Sequence, residues 1–521
     1  MLKKRAVAAV LLAGLVMAAA CTSDDSGSDS SGLPGAITEV MKASPYRHAE
    51  WGWHVVDLAS GEVVSSSGAE QFFFTGSTMK LNSVSAAWDA LGPDHRFETP
   101  VYGLGPVNDG TLAGNLVLVA SGDLTLGGRT TAEGTVAFAN FDHNDANALP
   151  GATLTPQDPL AGLDDIARQV RGRGVTRVDG DVVIDDRLFE PHTFVPGEDE
   201  ISPIIVNDNL VDVLTTASEV GQPATVTIRP QSPMYSVDSQ VQTVDTDGET
   251  SIEISADEGG RIRVTGTIIA GDDPALKVVT VEDPPTFART LLIAALARAG
   301  VQVSAPPTGP NPEALLPPSG PYAADQRLAV YTSPPFSEYA KLILKVSHNM
   351  GANLSVCLLA TRAGSTDCDD GFAAIRDFLG EAGVDPTDLT SADGQGIEPG
   401  AQSTPTAAVT LLQHWQGRPD FDRFRASLPI LGVDGSLSLS ETDSPARGRV
   451  QAKTGTGIGA DMLNGRISLR EKSLAGYIDA GSGRTLAFSL YMNRAVVDDI
   501  IGVFGVNNDL ARVAAIWQAE E

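Results

Sequence analysis

Hydrophobic and polar positions change period several times along the chain, and each change marks an element. Residues 50–67 read WGWHVVDL, ASGE, VVSSS: β-branched and aromatic positions flank a glycine-containing turn, which predicts a hairpin. Phe72, Phe73 and Phe74 then lead into Thr75 and Gly76. From Ser77 the period becomes helical. Leu81, Val84, Ala87, Trp88 and Leu91 share one face before Gly92 and Pro93 stop the helix, so Ser77 sits at its N-terminus.

Residues 102–281 carry short Val/Ile/Thr runs such as NLVLVAS, RVDGDVVID, ATVTIRP and RIRVTGTII, separated by Gly, Asp and Pro turns and interrupted by one helix at 162–173. This stretch reads as a mostly β insertion. A break near 218–223 allows two nested modules, the inner one about 222–270. Residues 286–299 are again helical, and 304–322 hold seven prolines, the mark of an extended connector. Helical patterns follow at 337–346, 350–361 and 404–415. Strands RVQAKTG, KSLAGYIDA and TLAFSLYMN come next, and a helix over 497–519 closes the chain. The order suggests an α+β fold, an antiparallel sheet built from both ends of the chain with helices on its faces. The expected catalytic domain is 36–101 with 282–521, and 102–281 is the insertion.

Composition narrows the classes. The chain has 521 residues, 42% of them hydrophobic and 20% charged, which is globular rather than disordered. Lys plus Arg total 36 against 66 Asp plus Glu, a net charge of −30 that repels phosphate backbones, so no nucleic-acid partner is expected. Seven His and three Cys, without HExxH or paired CxxC, give little material for a metal site, and neither metal nor cofactor is expected.

At the N-terminus Lys3, Lys4 and Arg5 precede an uncharged run, 6–20, shorter than the roughly 20 residues a membrane-spanning helix needs. That is the form of a signal peptide, here 1–20. Small residues Ala18, Ala19 and Ala20 directly before Cys21 resemble a bacterial lipobox, with lipidation of Cys21; an ordinary secretory signal cut after Ala20 is the alternative. Residues 21–35, rich in Ser, Gly and Asp, fit a flexible tether. With Cys21 lipidated, Cys357 and Cys368 remain as an even pair in an oxidising compartment, either disulfide-bonded or two unrelated thiols.

Three short motifs carry chemistry. Ser77-Thr78-Met79-Lys80 is an S-x-x-K, which on a helix puts the Lys80 amine one turn from the Ser77 hydroxyl. With nine lysines in the chain, roughly one such match arises by chance. Ser347-His348-Asn349 is an S-x-N between two helical patterns, where capping of a helix is the competing role. Lys453-Thr454-Gly455-Thr456 lies on a strand pattern, and Gly455 would let a ligand approach the backbone. About 0.07 copies of K-T-G are expected by chance, so this motif is the specific one.

Each motif occurs once, in a fixed order and on a suitable element, and the set resembles the serine penicillin-recognising enzymes. The second lies 270 residues after the first and the third 106 further on. A large insertion directly after the nucleophile helix resembles the class C low-molecular-mass penicillin-binding proteins, the D-alanyl-D-alanine carboxypeptidase/endopeptidases. Ser121-Gly122-Asp123, Asn207-Asp208-Asn209 and Gly432-Val433-Asp434-Gly435-Ser436 agree with that family; Leu124, His348 and Gln395 depart from it.

The resemblance implies a β-lactamase/transpeptidase-like domain in which Ser77, Lys80 and Ser347 are catalytic. Asn349, Lys453, Thr454, Gly455 and Thr456 would bind substrate. It further implies peptidoglycan stem peptides and β-lactams as partners. The lipobox-like N-terminus puts the protein on the outer face of the bacterial cytoplasmic membrane, with a periplasmic or secreted protein as the alternative. A β-lactamase or esterase on the same fold, or a catalytically silent wall-binding lipoprotein, are the alternatives.

Overall fold

The computed structural model describes residues 33–318 and 321–521, so the signal peptide, Cys21 and the tether up to residue 32 lie outside the described residues. A five-stranded antiparallel sheet organises the catalytic part, in the order Val63–Ser67, Glu50–Asp57, Thr485–Val497, Arg466–Asp479 and Val450–Asp461. The two ends of the chain meet in it: Trp53 pairs with Leu490 and Val55 with Phe488.

Side chains alternate across the sheet. Leu474, Ile478, Phe488 and Leu490 pack with Val506, Leu510 and Trp517 of the helix Ile500–Glu520, while Ala475, Tyr477 and Ala487 turn to a layer of helices on the other face. The last helix begins at Ile500 because the strand before it runs on to Val497.

The helical layer comprises Lys80–Leu91, Phe336–Lys345, Asn349–Arg362, Gly371–Glu381 and Pro405–Gln416. The first is enclosed on every side, so that Asn82, Ser83 and Ser85 are buried along with the apolar face. Its polar groups find partners. Trp88 Nε1 donates to Asp420 at 2.6 Å, Trp415 Nε1 donates to Ser85 Oγ at 2.9 Å, and the two indoles meet edge-on at 5.6 Å. The helices Gly371–Glu381 and Phe421–Ala426 are ones the hydrophobic pattern leaves unmarked.

The inserted region has its own sheet, Arg327–Thr332, Glu98–Leu104, Asn115–Val119 and Val182–Asp185, flanked by the helices Ala161–Gly172 and Pro284–Arg298. Two further sheets follow, one of three strands around Leu210–Thr216 and one of four strands between residues 236 and 269. Val101, Leu118, Ile166, Val213, Val264, Phe287 and Leu291 belong to one core. That core continues past residue 281, the boundary expected from sequence. Helix Pro284–Arg298 is buried in it, and Arg327–Thr332 pairs with Glu98–Leu104 rather than with the catalytic sheet. Residues 222–270 contribute Val241, Ile252 and Ile262 to the same core. The proline-rich connector is tied down by Arg289, which donates to the Pro306 carbonyl at 3.1 Å, and by Asn311, whose side chain accepts from and donates to the Ile184 backbone at 2.9 Å each.

Cys357 and Cys368 are fully buried and joined by a disulfide, which ties the helix Asn349–Arg362 to the turn leading into Gly371–Glu381. Replacing both by Ser is expected to lower stability by about 2–4 kcal/mol, seen as an earlier denaturant midpoint with a steeper slope, because the uncross-linked chain exposes more surface when unfolded.

Candidate active site

Ser77 lies on a single 3-10 turn, Gly76–Met79, that opens the buried helix Lys80–Leu91. The turn is pressed against the catalytic sheet: a Cβ at Gly76, whose φ is +50°, would strike the Thr456 amide, and one at Gly455 would strike Ser473 Oγ and the Thr75 carbonyl. Both glycines therefore permit the backbone contact that brings the first and third motifs together. Ser473 Oγ locks it by donating to the Thr75 carbonyl at 2.5 Å.

Lys80 is wholly buried, with Nζ 2.7 Å from Ser77 Oγ, 2.8 Å from Asn349 Oδ1 and 3.2 Å from the Gln395 carbonyl. Burial drives its pKa down to about 7 against the pull of Asp393, Asp145 and Glu198. The Asp393 carboxylate is itself held by the amides of Gly396, Ile397 and Glu398 at 2.6–3.0 Å. Lys453, also wholly buried, donates to Ser347 Oγ at 2.9 Å and to the Thr454 carbonyl at 2.7 Å. Burial, then the charge of Lys80, push its pKa well below the usual amine range.

The second motif occupies the joint between Phe336–Lys345 and Asn349–Arg362, with Ser347 at φ +63°, a conformation non-glycine residues adopt rarely. His348 turns away from the cleft. Its Nδ1 accepts from the Gly351 amide at 3.0 Å, capping the helix, and its Nε2 lies 3.0 Å from Asp208 of the inserted region. Asp208 also accepts from Arg129 at 2.6 Å and from His143 at 2.8 Å, and His143 Nδ1 lies 2.6 Å from Asp212. Burial works against a charged His143, yet its bonds to Asp208 and Asp212 raise its pKa to about 9. Arg129 and the two imidazoles hold the Asp208 carboxyl well below its ordinary value despite its burial. Asn207, Asp208 and Asn209 all have positive φ, so the segment that delivers this carboxylate is bent for the purpose.

A cleft of about 370 Å³ runs over these groups, lined by Ser77, Ser347, Asn349, Thr454 and Thr456. All eight residues expected from the three motifs converge here, with Lys80, Lys453 and Gly455 forming its buried floor. Sequence reasoning missed several others. Asn140, Phe141 and Asp145 of the inserted region form one wall, and burial raises the Asp145 carboxyl to about 6. Lys472, first residue of the KSLAGYIDA strand, and Asn507 of the last helix form another. Pairing of the K-T-G-T strand with its neighbour was the available signal, because Lys472 lies directly opposite Thr456.

A serine hydroxyl beside a buried, neutralisable amine, set between an antiparallel sheet and a helical layer, defines an acyl-transferring serine hydrolase. The chain belongs to the D-Ala-D-Ala carboxypeptidase 3 (S13) family, which it matches over residues 33–502, and it is accordingly a serine-type carboxypeptidase. It is 28% identical over 499 residues to a D-alanyl-D-alanine carboxypeptidase of an Actinomadura species, covering 91% of this chain and 86% of the relative. It is 21% identical over 468 residues to D-alanyl-D-alanine carboxypeptidase DacB of Haemophilus influenzae, covering 86% of each. Its fold is that of penicillin binding protein 4 from Haemophilus influenzae, with a TM-score of 0.68 at 19% identity over 93% of this chain and 99% of that one.

Two substitutions check the geometry. Gly455→Ala should slow acylation of Ser77 by more than about 100-fold, because the added methyl separates the two strands of backbone that frame the site. Asp208→Ala removes the carboxylate shared by Arg129, His143 and His348 while Arg129 keeps Asp142 and His143 keeps Asp212, and should cost about 1–3 kcal/mol, read in a denaturant titration.

Proposed function

We propose that the protein removes the terminal D-alanine from peptidoglycan stem peptides and splits peptide cross-links, through an acyl-enzyme on Ser77 that β-lactams also form. The observation that carries this reading is the pair of contacts Lys80 Nζ to Ser77 Oγ at 2.7 Å and Lys453 Nζ to Ser347 Oγ at 2.9 Å, facing one cleft.

In the first step Lys80, as the free amine, takes the Ser77 proton while Oγ attacks the carbonyl of the D-Ala-D-Ala bond. The oxygen of that carbonyl becomes an oxyanion received by the amides of Ser77 and Thr456. The close approach of Gly76 to the Thr456 amide and of Gly455 to the Ser77 amide supports this pairing. Ser347, hydrogen-bonded to Lys453, relays to the leaving amine the proton that Lys80 took, the oxyanion collapses, and the C–N bond breaks with release of D-alanine and return of Lys80 to the free amine. Asn349 holds Lys80 through Oδ1 and leaves its Nδ2 for the peptide. Lys453 and Thr454 receive the terminal carboxylate. Water then resolves the ester and regenerates Ser77.

The leader 1–20 and the buried disulfide support export, and Cys21 is the residue through which the protein is anchored by lipid to the outer face of the cytoplasmic membrane.

Ser77→Ala should abolish labelling by a fluorescent penicillin and leave the fold intact. Digestion of purified muropeptides, read by mass, should show loss of one D-alanine from pentapeptides and cleavage of dimers by the wild type and neither by the variant. Retained labelling would refute Ser77 as nucleophile. Because Lys80 acts as a base with its pKa near 7, the acylation rate should rise as pH increases through about 7 and then level off. A rate falling over that interval would remove Lys80 from the role.

A further inference from the structure

Among the described residues four lysines are buried: Lys80, Lys345, Lys453 and Lys472. Lys345 is paired with Asp434 at 2.7 Å, and Lys80 and Lys453 both feel the field of Asp145. Lys472 differs. It is 5% exposed, and no carboxylate lies within ion-pair distance of it among the described residues. A desolvated ammonium without a counter-ion is costly unless a ligand supplies one.

Its position says which ligand. Lys472 stands opposite Thr456 in the sheet and lines the cleft. Nζ donates to Thr456 Oγ1 at 2.7 Å and to Asn507 Oδ1 at 3.1 Å, and Asn507 is fixed in turn by donating to Ser440 Oγ at 3.0 Å. An ammonium has three N–H bonds and no lone pair. When Lys472 is charged, Thr456 Oγ1 therefore accepts from it, which leaves the threonine's own O–H to donate outward into the cleft. Two residues earlier on the same strand, Thr454 Oγ1 is paired with Ser436 Oγ at 2.6 Å, so further hydroxyls face the same space.

Resting on the function proposed above, we infer that Lys472 is a specificity-determining residue for the terminal carboxylate of the substrate, acting through Thr456. It orients the Thr456 hydroxyl as a donor and supplies, from behind it, the positive charge that the carboxylate neutralises. Burial lowers the Lys472 pKa to about 7 in the empty cleft, and an arriving carboxylate raises it again, so that charge is strongest when substrate is bound. Lys453 keeps its place beside Ser347.

The test compares an N-acylated peptide ending in D-Ala-D-Ala with the same peptide ending in D-alaninamide, on wild type, Lys472→Met, Lys472→Arg and Thr456→Val. For Lys472→Met the kcat/KM for the free carboxylate should fall about 10- to 100-fold, mostly through KM, while that for the amide changes less than about threefold. The preference for carboxylate over amide thereby collapses. Lys472→Arg should keep most of it. Thr456→Val, which leaves the lysine in place, should lose it as Lys472→Met does, and it stands in if the methionine variant does not fold. An unchanged preference in Lys472→Met or Thr456→Val overturns the inference, as does an equal loss on both peptides, which would mark a purely structural lysine. A wild type that neither hydrolyses D-Ala-D-Ala nor takes up penicillin would instead overturn the functional reading beneath it.

Discussion

A lysine amine held out of water 2.7 Å from a serine hydroxyl is the interaction on which the rest of this structure depends. In solvent the amine would be protonated at neutral pH and useless as a base, so its burial is the chemistry. Burial in turn requires a helix enclosed on all sides, and the fold provides one by placing Lys80–Leu91 between the five-stranded sheet and four further helices. The polar groups that such enclosure would strand are satisfied across long sequence distances: Trp88 by Asp420, Ser85 by Trp415, Ser83 by the Gly394 carbonyl at 2.7 Å. Without those partners a helix carrying Asn82, Ser83 and Ser85 would sit at the surface, and Lys80 would be hydrated.

The inserted region takes part in the same arrangement. Its loop at 140–149 walls the cleft, and its Asp208 reaches across to His348, in the middle of the second motif. The histidine caps its helix with one nitrogen and meets the insertion with the other, which steadies the backbone on either side of it. Ser347 and Asn349 are those neighbours, and they contact Lys453 and Lys80 respectively. The carboxylates around His143 are engaged with Arg129 and the imidazoles, making a buried charge network that joins two cores. Asp208 is thus one of several links between the inserted region and the catalytic layer, beside the Val136 amide on Glu338 at 3.0 Å and the Gly435 amide on Asn140 at 2.8 Å.

Much of this was legible in the residues alone. The hairpin at 50–67, the helix after Ser77, the three C-terminal strands and the closing helix follow from periodicity, because local sequence sets which side chains share a face. The three motifs named eight residues that converge on the cleft, but not Asp145, Lys472 or the Gln395 carbonyl beside Lys80. Other features were hidden. The helix Pro284–Arg298 gives no sign that it belongs to the inserted core, because a helix's pattern records how much it buries and not against what. His348 could have faced the cleft or left it; only the placement of Asp208, 140 residues earlier, decides.

By itself, then, the chain's order of residues determined the kinds of element, the placing of Ser77 and Lys80 one helical turn apart, and the lysine-bearing strand, all of them consequences of contacts within a few residues. Tertiary structure decided the rest: that Lys80 is dry, that Asp145 and Lys472 join the cleft, and that Gly76 and Gly455 touch. Such facts depend on separation in space between segments hundreds of residues apart, and desolvation and charge proximity, which set the chemistry of buried groups, exist only once those segments have met.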